Sequence, residues 1–219
     1  MAQEIEIKLR ISDAEALRRK LKRLGARLVA SGTGRVHEWN VLFDTPQGDV
    51  AKRGQLLRIR TETPESKSKN GKADPPKRAL LTFKRPVIEG KAVPPGGVQG
   101  NGRHKVREEL ELEVSDPGVL ATIFEGLGMR GWFRYEKRRT TFRLPPRSSW
   151  AKGLLIELDE TPIGTFVELE GPPAAIDRVA QALGFSPRDY IVESYLALYI
   201  EDCRRRGVEP KDMVFATQK

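Results

Sequence analysis

Glu4-Ile5-Glu6-Ile7-Lys8 alternates charged and apolar side chains at the period of two that a β-strand imposes. Glu4, Glu6 and Lys8 therefore project from one face, with Ile5, Ile7 and Leu9 on the other. Two carboxylates about 7 Å apart on a rigid strand are a donor pair for a hard divalent cation, and the ammonium beside them can hold an anion. Taken alone, the segment also reads as the solvated face of an amphipathic strand.

The pattern recurs. Arg58 and Arg60 share a face in Leu57-Arg58-Ile59-Arg60, and Lys84 stands in Thr82-Phe83-Lys84. Arg107, Glu109, Glu111 and Glu113 lie on one side of their segment, with Leu110 and Leu112 opposite. Lys137 pairs with Arg139, and the alternation continues in Ile156-Glu157-Leu158-Asp159 and Phe166-Val167-Glu168-Leu169-Glu170. A plain solvated face would mix in Ser, Thr, Asn and Gln, which are scarce here. Charged faces turned toward one another and toward a ligand fit the selective use of Glu, Asp, Lys and Arg. Arg58 and Arg60 also admit a simpler reading, as cross-strand ion pairs with Glu109 or Glu111. Glu108 and Glu157 fall on the apolar side or in an uncertain register and are left out of the charged set.

The elements that must carry these residues follow from the same periodicity. Strands are expected near 3–11, 35–44, 55–62, 79–86, 105–114, 130–143, 153–160 and 163–170. Ser12-Asp13 caps a helix on which Leu17, Leu21, Leu24 and Leu28 are helically spaced, with Gly25 its stop. Further helices are expected near 117–127, 173–184 and 191–206. The result is an α+β fold in which an eight-stranded antiparallel β-barrel is flanked by three to four helices. If the helices cover the apolar faces from outside, the charged faces line the interior. So many inward charges are tolerable only if they pair or bind ions. A water-filled tunnel for a highly charged ligand meets that requirement.

Composition narrows the classes. The chain of 219 residues can bury one substantial core, and no run approaches the ~20 apolar residues of a membrane span. A charged first segment is unlike a signal peptide, so a soluble cytoplasmic protein with no membrane partner is expected. One cysteine and two histidines make neither a disulfide nor a zinc cluster, leaving oxygen ligands and hence Mg2+ or Mn2+. The net charge of +9 invites a nucleic-acid partner. Its distribution argues otherwise. Residues 63–78 hold five bases against two acids and residues 87–104 two against one, so four of the nine excess charges sit in two Gly/Pro/Lys-rich stretches. No aromatics interleave with them as in a stacking platform.

The ordered segments resemble a known family. Glu4-Ile5-Glu6-Ile7-Lys8 is similar to the ExExK signature of the CYTH superfamily, the triphosphate tunnel metalloenzymes. The resemblance continues through Leu56–Arg60, Leu81–Lys84, the Arg107-Glu109-Glu111 group, Lys137–Arg139, Leu158–Glu160, Gly164–Glu170 and Ser194-Tyr195, spanning residues 2–199. It implies a β-barrel tunnel, a triphosphate substrate and a divalent metal. The family includes class IV adenylyl cyclases, thiamine triphosphatases, inorganic triphosphatases and RNA-capping triphosphatases.

Roles follow from the resemblance together with side-chain chemistry. Arg58 and Arg60 offer planar forks to phosphate oxygens, and Lys8 and Lys84 offer point charges. Lys137, Arg139 and Arg107 extend that set. The resemblance implies Glu4, Glu6, Asp159, Glu168 and Glu170 as metal ligands, with Glu111 next, and Glu4, Glu6 and Lys8 at the reacting centre. The expected activity is metal-dependent hydrolysis of tripolyphosphate, ATP or thiamine triphosphate. Cyclisation of ATP and non-catalytic polyphosphate binding are the competing readings. One domain is expected over 1–203, carrying flexible inserts at about 63–78 and 87–104, with a tail over 204–219. The protein is expected to be a monomer or homodimer. His37 and His104 read as surface or structural residues, Cys203 as incidental, and Trp39, Trp132 and Trp150 as packing.

Overall fold

The computed structural model describes residues 2–29, 34–65, 77–87 and 103–216; most of both inserts lies outside them. Among the described residues nine strands form one antiparallel sheet: β1 (Ala2–Ile11), β2 (Arg27–Leu28), β3 (Arg35–Asp44), β4 (Leu56–Pro64), β5 (Arg78–Pro86), β6 (Lys105–Glu113), β7 (Arg130–Arg143), β8 (Leu155–Thr161) and β9 (Gly164–Glu170). The order β7-β3-β4-β5-β6-β1-β9-β8 returns to β7 through a β7–β8 ladder. Eight strands thus close a barrel without an open edge. The ninth, β2, adds two residues to the far end of β7.

Among the described residues α1 (Ala14–Arg23), α2 (Asp49–Lys52) and α3 (Pro117–Gly126) lie between strands, and α4 (Pro173–Ala182) and α5 (Tyr195–Arg206) follow β9. Asp13, Asp116 and Ser194 cap α1, α3 and α5 by accepting from the backbone N–H three residues on, satisfying a donor the first turn leaves free. Two expected boundaries move. Leu24 is the C-cap of α1, so Leu28 is not on that helix; it stands exposed in β2 beyond the left-handed turn at Gly25. The last helix starts at Tyr195 rather than near 191, because Ile191 exchanges backbone hydrogen bonds of 2.8 and 2.9 Å with Lys8 and is held extended.

Apolar side chains point outward from the barrel and are buried there. Ile7, Leu9, Ile156, Leu158, Val167 and Leu169 pack beneath Leu17 and Leu21 of α1 and Ile176, Val179 and Leu183 of α4. Phe43 and Ile59 pack beneath Phe124 of α3. Leu110 and Leu112 remain exposed on the outer face of β6. Six fully buried aliphatics on the first face, at about 1.5–3 kcal/mol each, supply a core outside the barrel and leave its interior to polar groups. At one end the inward positions turn apolar at Leu42, Phe133 and Phe166. There α5 packs against them with Tyr195, Tyr199 and Cys203, which makes the cysteine part of the core. The C-terminal stretch follows: Met213 is buried in this cluster and pairs its backbone with Arg134 and Glu136 of β7.

Candidate functional site

The barrel encloses a cavity of about 540 Å³. Among the described residues its wall carries ten lysines and arginines and nine glutamates. Each strand presents its alternate residues inward, so the charged set from distant segments meets in one chamber. Of the residues singled out from sequence, Glu4, Glu6, Lys8, Arg58, Arg60, Lys84, Arg107, Glu111, Lys137, Arg139, Glu168 and Glu170 all line it. Asp159 is the exception. It faces inward like Glu157 but is fully buried beneath Lys137 (3.0 Å), Arg139 (2.6 Å) and the Tyr195 hydroxyl (2.8 Å), which occupy its oxygens.

The interior charges pair with one another. Lys8 Nζ lies 3.1 Å from Glu6 and 3.0 Å from Glu168. Lys84 donates to Glu4 at 2.6 Å and stands 3.2 Å from Glu109. Arg60 reaches Glu111 at 2.9 Å, the ion pair that the simpler reading expects, while Arg58 is 4.0 Å from Glu111 and donates instead to Tyr135 and Thr82. Arg139 contacts Glu157, Asp159 and Glu168 together.

Burial and neighbours divide these groups. Burial alone would raise the Glu6, Glu38 and Glu168 carboxyls, yet the ammonium and guanidinium groups around them hold all three below the usual range, Glu38 at about 2. Two acids go the other way. Burial lifts Glu157 to about 8 against the pull of Arg139, and Asp159 and Glu168 add to the rise. Burial lifts Glu170 to about 7, with Glu4 and Glu109 repelling its charge and Lys84 opposing them. Among the cations, Lys105 is lowered by burial and by Lys8 and Lys84 nearby, although Glu6 is 2.5 Å away. The chamber thus holds both crowded carboxylates and crowded ammoniums.

Among the described residues no three carboxylates converge on a common point that would hold a metal. The donor set nevertheless suits a hard divalent cation. Glu4, Glu6, Glu168 and Glu170 line one chamber from the adjacent strands β1 and β9, and the repulsion of Glu170 by Glu4 is what such a cation would relieve.

Several lining residues escaped sequence reasoning. Glu38 touches Lys137, Arg139 and Arg60, but its strand mixes His, Trp and Asn with aliphatics and hides the alternation. Glu157 faces inward; its place two residues before Asp159 was the signal. Lys105 lies two positions before Arg107 on the same face, next to an insert that blurs the strand start. Tyr195 comes from α5, and Lys8 and Lys137 each stand 5.3 Å from its ring centroid. The histidines are structural: His37 bonds Glu136, and buried His104 bonds Asp177. Trp150 packs on the core, Trp39 stands at the surface, and Trp132, though partly exposed, lies with its ring 5.8 Å from that of Phe133.

Residues 2–185 match the family model of the CYTH domain. The chain belongs to the CYTH family. A Methanocaldococcus jannaschii protein provisionally named an adenylate cyclase is 23% identical over 206 residues, covering 89% of this chain and 97% of the relative. The solved structure of a conserved hypothetical protein from Pyrococcus furiosus aligns with a TM-score of 0.61 at 25% identity, over 89% of this chain and 99% of its own. A Hippeastrum protein, provisionally named an adenylyl cyclase and reported to show a dominant triphosphatase activity, aligns at 0.51 and 21% identity, over 94% and 97%. This CYTH barrel therefore has family precedent for its closed sheet. Among its described residues no helix is long and apolar enough to cross a membrane.

Proposed function

We propose that this protein holds a triphosphate inside its barrel and hydrolyses it with the help of a divalent cation, Mg2+ or Mn2+. The observation that carries this reading is the convergence of lysines and arginines from β1, β4, β5, β6 and β7 on one closed chamber. A triphosphate carries about four negative charges, and guanidinium forks bind phosphate oxygens two at a time. Arg58, Arg60, Lys84, Lys137, Arg139 and Lys8 would grip the phosphate chain, with Arg107 beside them. The lowered Lys105 and raised Glu170 support the reading, because phosphate would relieve the crowded ammoniums and a cation the crowded carboxylates.

Glu4, Glu6, Glu168 and Glu170 would hold the cation, with Glu111 at their edge; bound there, it neutralises charge developing on the phosphate oxygens and lowers the pKa of water. Asp159 serves in this scheme as the anchor that fixes Lys137, Arg139 and Tyr195 rather than as a ligand. The ion pairs hold the lysines and arginines at the wall, where phosphate oxygens would compete with their carboxylate partners. Glu4 and Glu6, presented side by side with Lys8 from rigid β1, are placed to orient water at the reacting phosphate.

We favour hydrolysis over cyclisation because the sequence carries no recognised adenine-specific motif. The Hippeastrum relative's triphosphatase activity is in line with it, while the cyclase names keep cyclic AMP formation as the second reading. The test is phosphate and cyclic AMP release from tripolyphosphate, ATP and thiamine triphosphate with Mg2+ or Mn2+. Arg58→Ala is expected to weaken triphosphate engagement about tenfold or more, and Glu4→Gln to cut metal-supported turnover by a similar factor. No phosphate released from any substrate would end the hydrolase reading, and wild-type rates in both variants would end the residue assignment.

A further inference from the structure

The outer face of β6 and one flank of α3 carry apolar side chains that no described element covers. Leu110 and Leu112 point outward from β6, and Val119, Ile123 and Leu127 follow one another four residues apart along α3 and its C-cap. All five are between 45% and 72% exposed. Single exposed aliphatics are ordinary on any surface, but these are continuous. Leu112 pairs across the ladder with Leu81, and Leu81 packs in the cluster that holds Leu120 and Phe124 of α3. The strand patch therefore runs up to the helix.

The fold accounts for the gap but not for its apolar lining. α1 and α4 cover β1, β8 and β9, and α3 covers β3 and β4, so the outer face of β6 falls between them. A sheet face left to solvent takes polar residues at its outward positions, yet leucines stand here. α3 is equally out of pattern. Burying Leu120 and Phe124 needs one stripe, and a surface helix is polar around the rest of its circumference. From Pro117 to Met129 the only charged residue is Glu125, in a chain that is 32% charged.

We propose that this face is the contact surface of a two-fold homodimer, in which the α3 stripe of one copy lies on the leucine floor of β6 in the other. The inference is independent of the tunnel reading. A helical ridge and a flat floor side by side on one chain are self-complementary about a two-fold axis, which closes the assembly at two copies. The area fits as well. The five side chains leave roughly 500 Å² of apolar surface open, at the upper end of what a lone monomer carries. A standard interface covers about 800 Å² on each partner, about two-thirds of it apolar in homodimers, and these residues supply that share. Charge points the same way. Two copies that each carry +9 repel one another, and this contact brings in only Glu125 of α3, with Arg85 and Glu108 already paired on the neighbouring strands. α3 has no lysine or arginine, so it offers nothing to anionic lipid or to nucleic acid.

The test is sedimentation velocity over a wide range of protein concentration. It compares the wild type with Leu112→Glu, with Ile123→Asp and with a control, Ile200→Asp, which changes a comparably exposed aliphatic on α5. The wild type and the control are expected to form a dimer that grows no further. In Leu112→Glu and Ile123→Asp the dissociation constant is expected to rise about a hundredfold or more, because symmetry places each new charge in the contact twice. These side chains are exposed on the single chain, so circular dichroism is expected to show the wild-type fold in each variant. The two interface positions lie on different elements, and either variant decides if the other does not fold. A wild type that stays monomeric at every concentration overturns the proposal, as does association beyond two copies. It is equally overturned if a folded interface variant dimerises with wild-type strength, or if the folded control loses the dimer.

Discussion

Arg139 is shared by three buried carboxylates, Glu157, Asp159 and Glu168, of which Asp159 and Glu168 also pair with Lys137 and Glu168 with Lys8, while Glu157 relies on the shared guanidinium. Glu157 carries the excess, which is why burial and its acidic neighbours hold it at about 8 while Glu168 stays ionised. The consequence for stability has a definite sign. A carboxyl raised from its ordinary 4.5 binds its proton more tightly folded than unfolded, so stability falls as pH rises from about 4.5 through about 8. Glu157→Gln removes that titration. The variant's melting temperature is expected to gain on the wild type as pH climbs from 5 to 8. A difference between the two proteins that stays constant over that range would show that the carboxyl is not protonated. Glu6, Glu38 and Glu168 act in the opposite sense. Their depressed values contribute stability that is present above the ordinary carboxylate range and lost as pH falls below it.

At the scale of elements, period-two alternation revealed every long strand, because most barrel strands set an apolar outer face against a charged interior. That contrast is strongest in β1, where charged and aliphatic residues alternate strictly from Glu4 to Ile11, and weakest in β3, where Glu38 escaped notice between His37 and Trp39. Features that depend on contact rather than period were not legible. The two residues of β2 carry no pattern, the bulge at Trp132 appears only when β7 is paired with β3, and Asp159 looks on its strand like the glutamates that line the cavity. The C-terminal stretch belongs here too. It reads as a tail outside the domain, yet Met213 is buried in one cluster with Phe133 and Tyr199, and Asp212 accepts from the Arg134 backbone N–H at 2.8 Å. Met213→Ala is therefore expected to cost about 2–4 kcal/mol, read from urea denaturation midpoints. A loss under about 0.5 kcal/mol, the scale of an ordinary surface substitution, would mean that the stretch lies outside the cooperative fold.

For the whole molecule, closure of the barrel sets the energetics of loading. The wall cannot spread, and its charges are close to balanced, ten bases against nine acids among the described residues. A triphosphate that takes Lys84 from Glu4, or Lys8 from Glu6 and Glu168, leaves a buried carboxylate without its partner. Stranding a buried charge in this way costs roughly 3–5 kcal/mol. A divalent cation that takes up the released carboxylates removes the penalty, so anion and cation are expected to enter as coupled ligands. Tripolyphosphate and Mg2+ added together should raise the melting temperature by more than the sum of their separate shifts, corresponding to a coupling of about 1–3 kcal/mol. The two ligands also associate in solution, but that contribution is common to the wild type and Glu4→Gln. The excess specific to the barrel is therefore the part that Glu4→Gln abolishes. An excess of the same size in both proteins would mean that the released carboxylate does not recruit the cation, and that the interior ion pairs hold up the barrel without taking part in loading it.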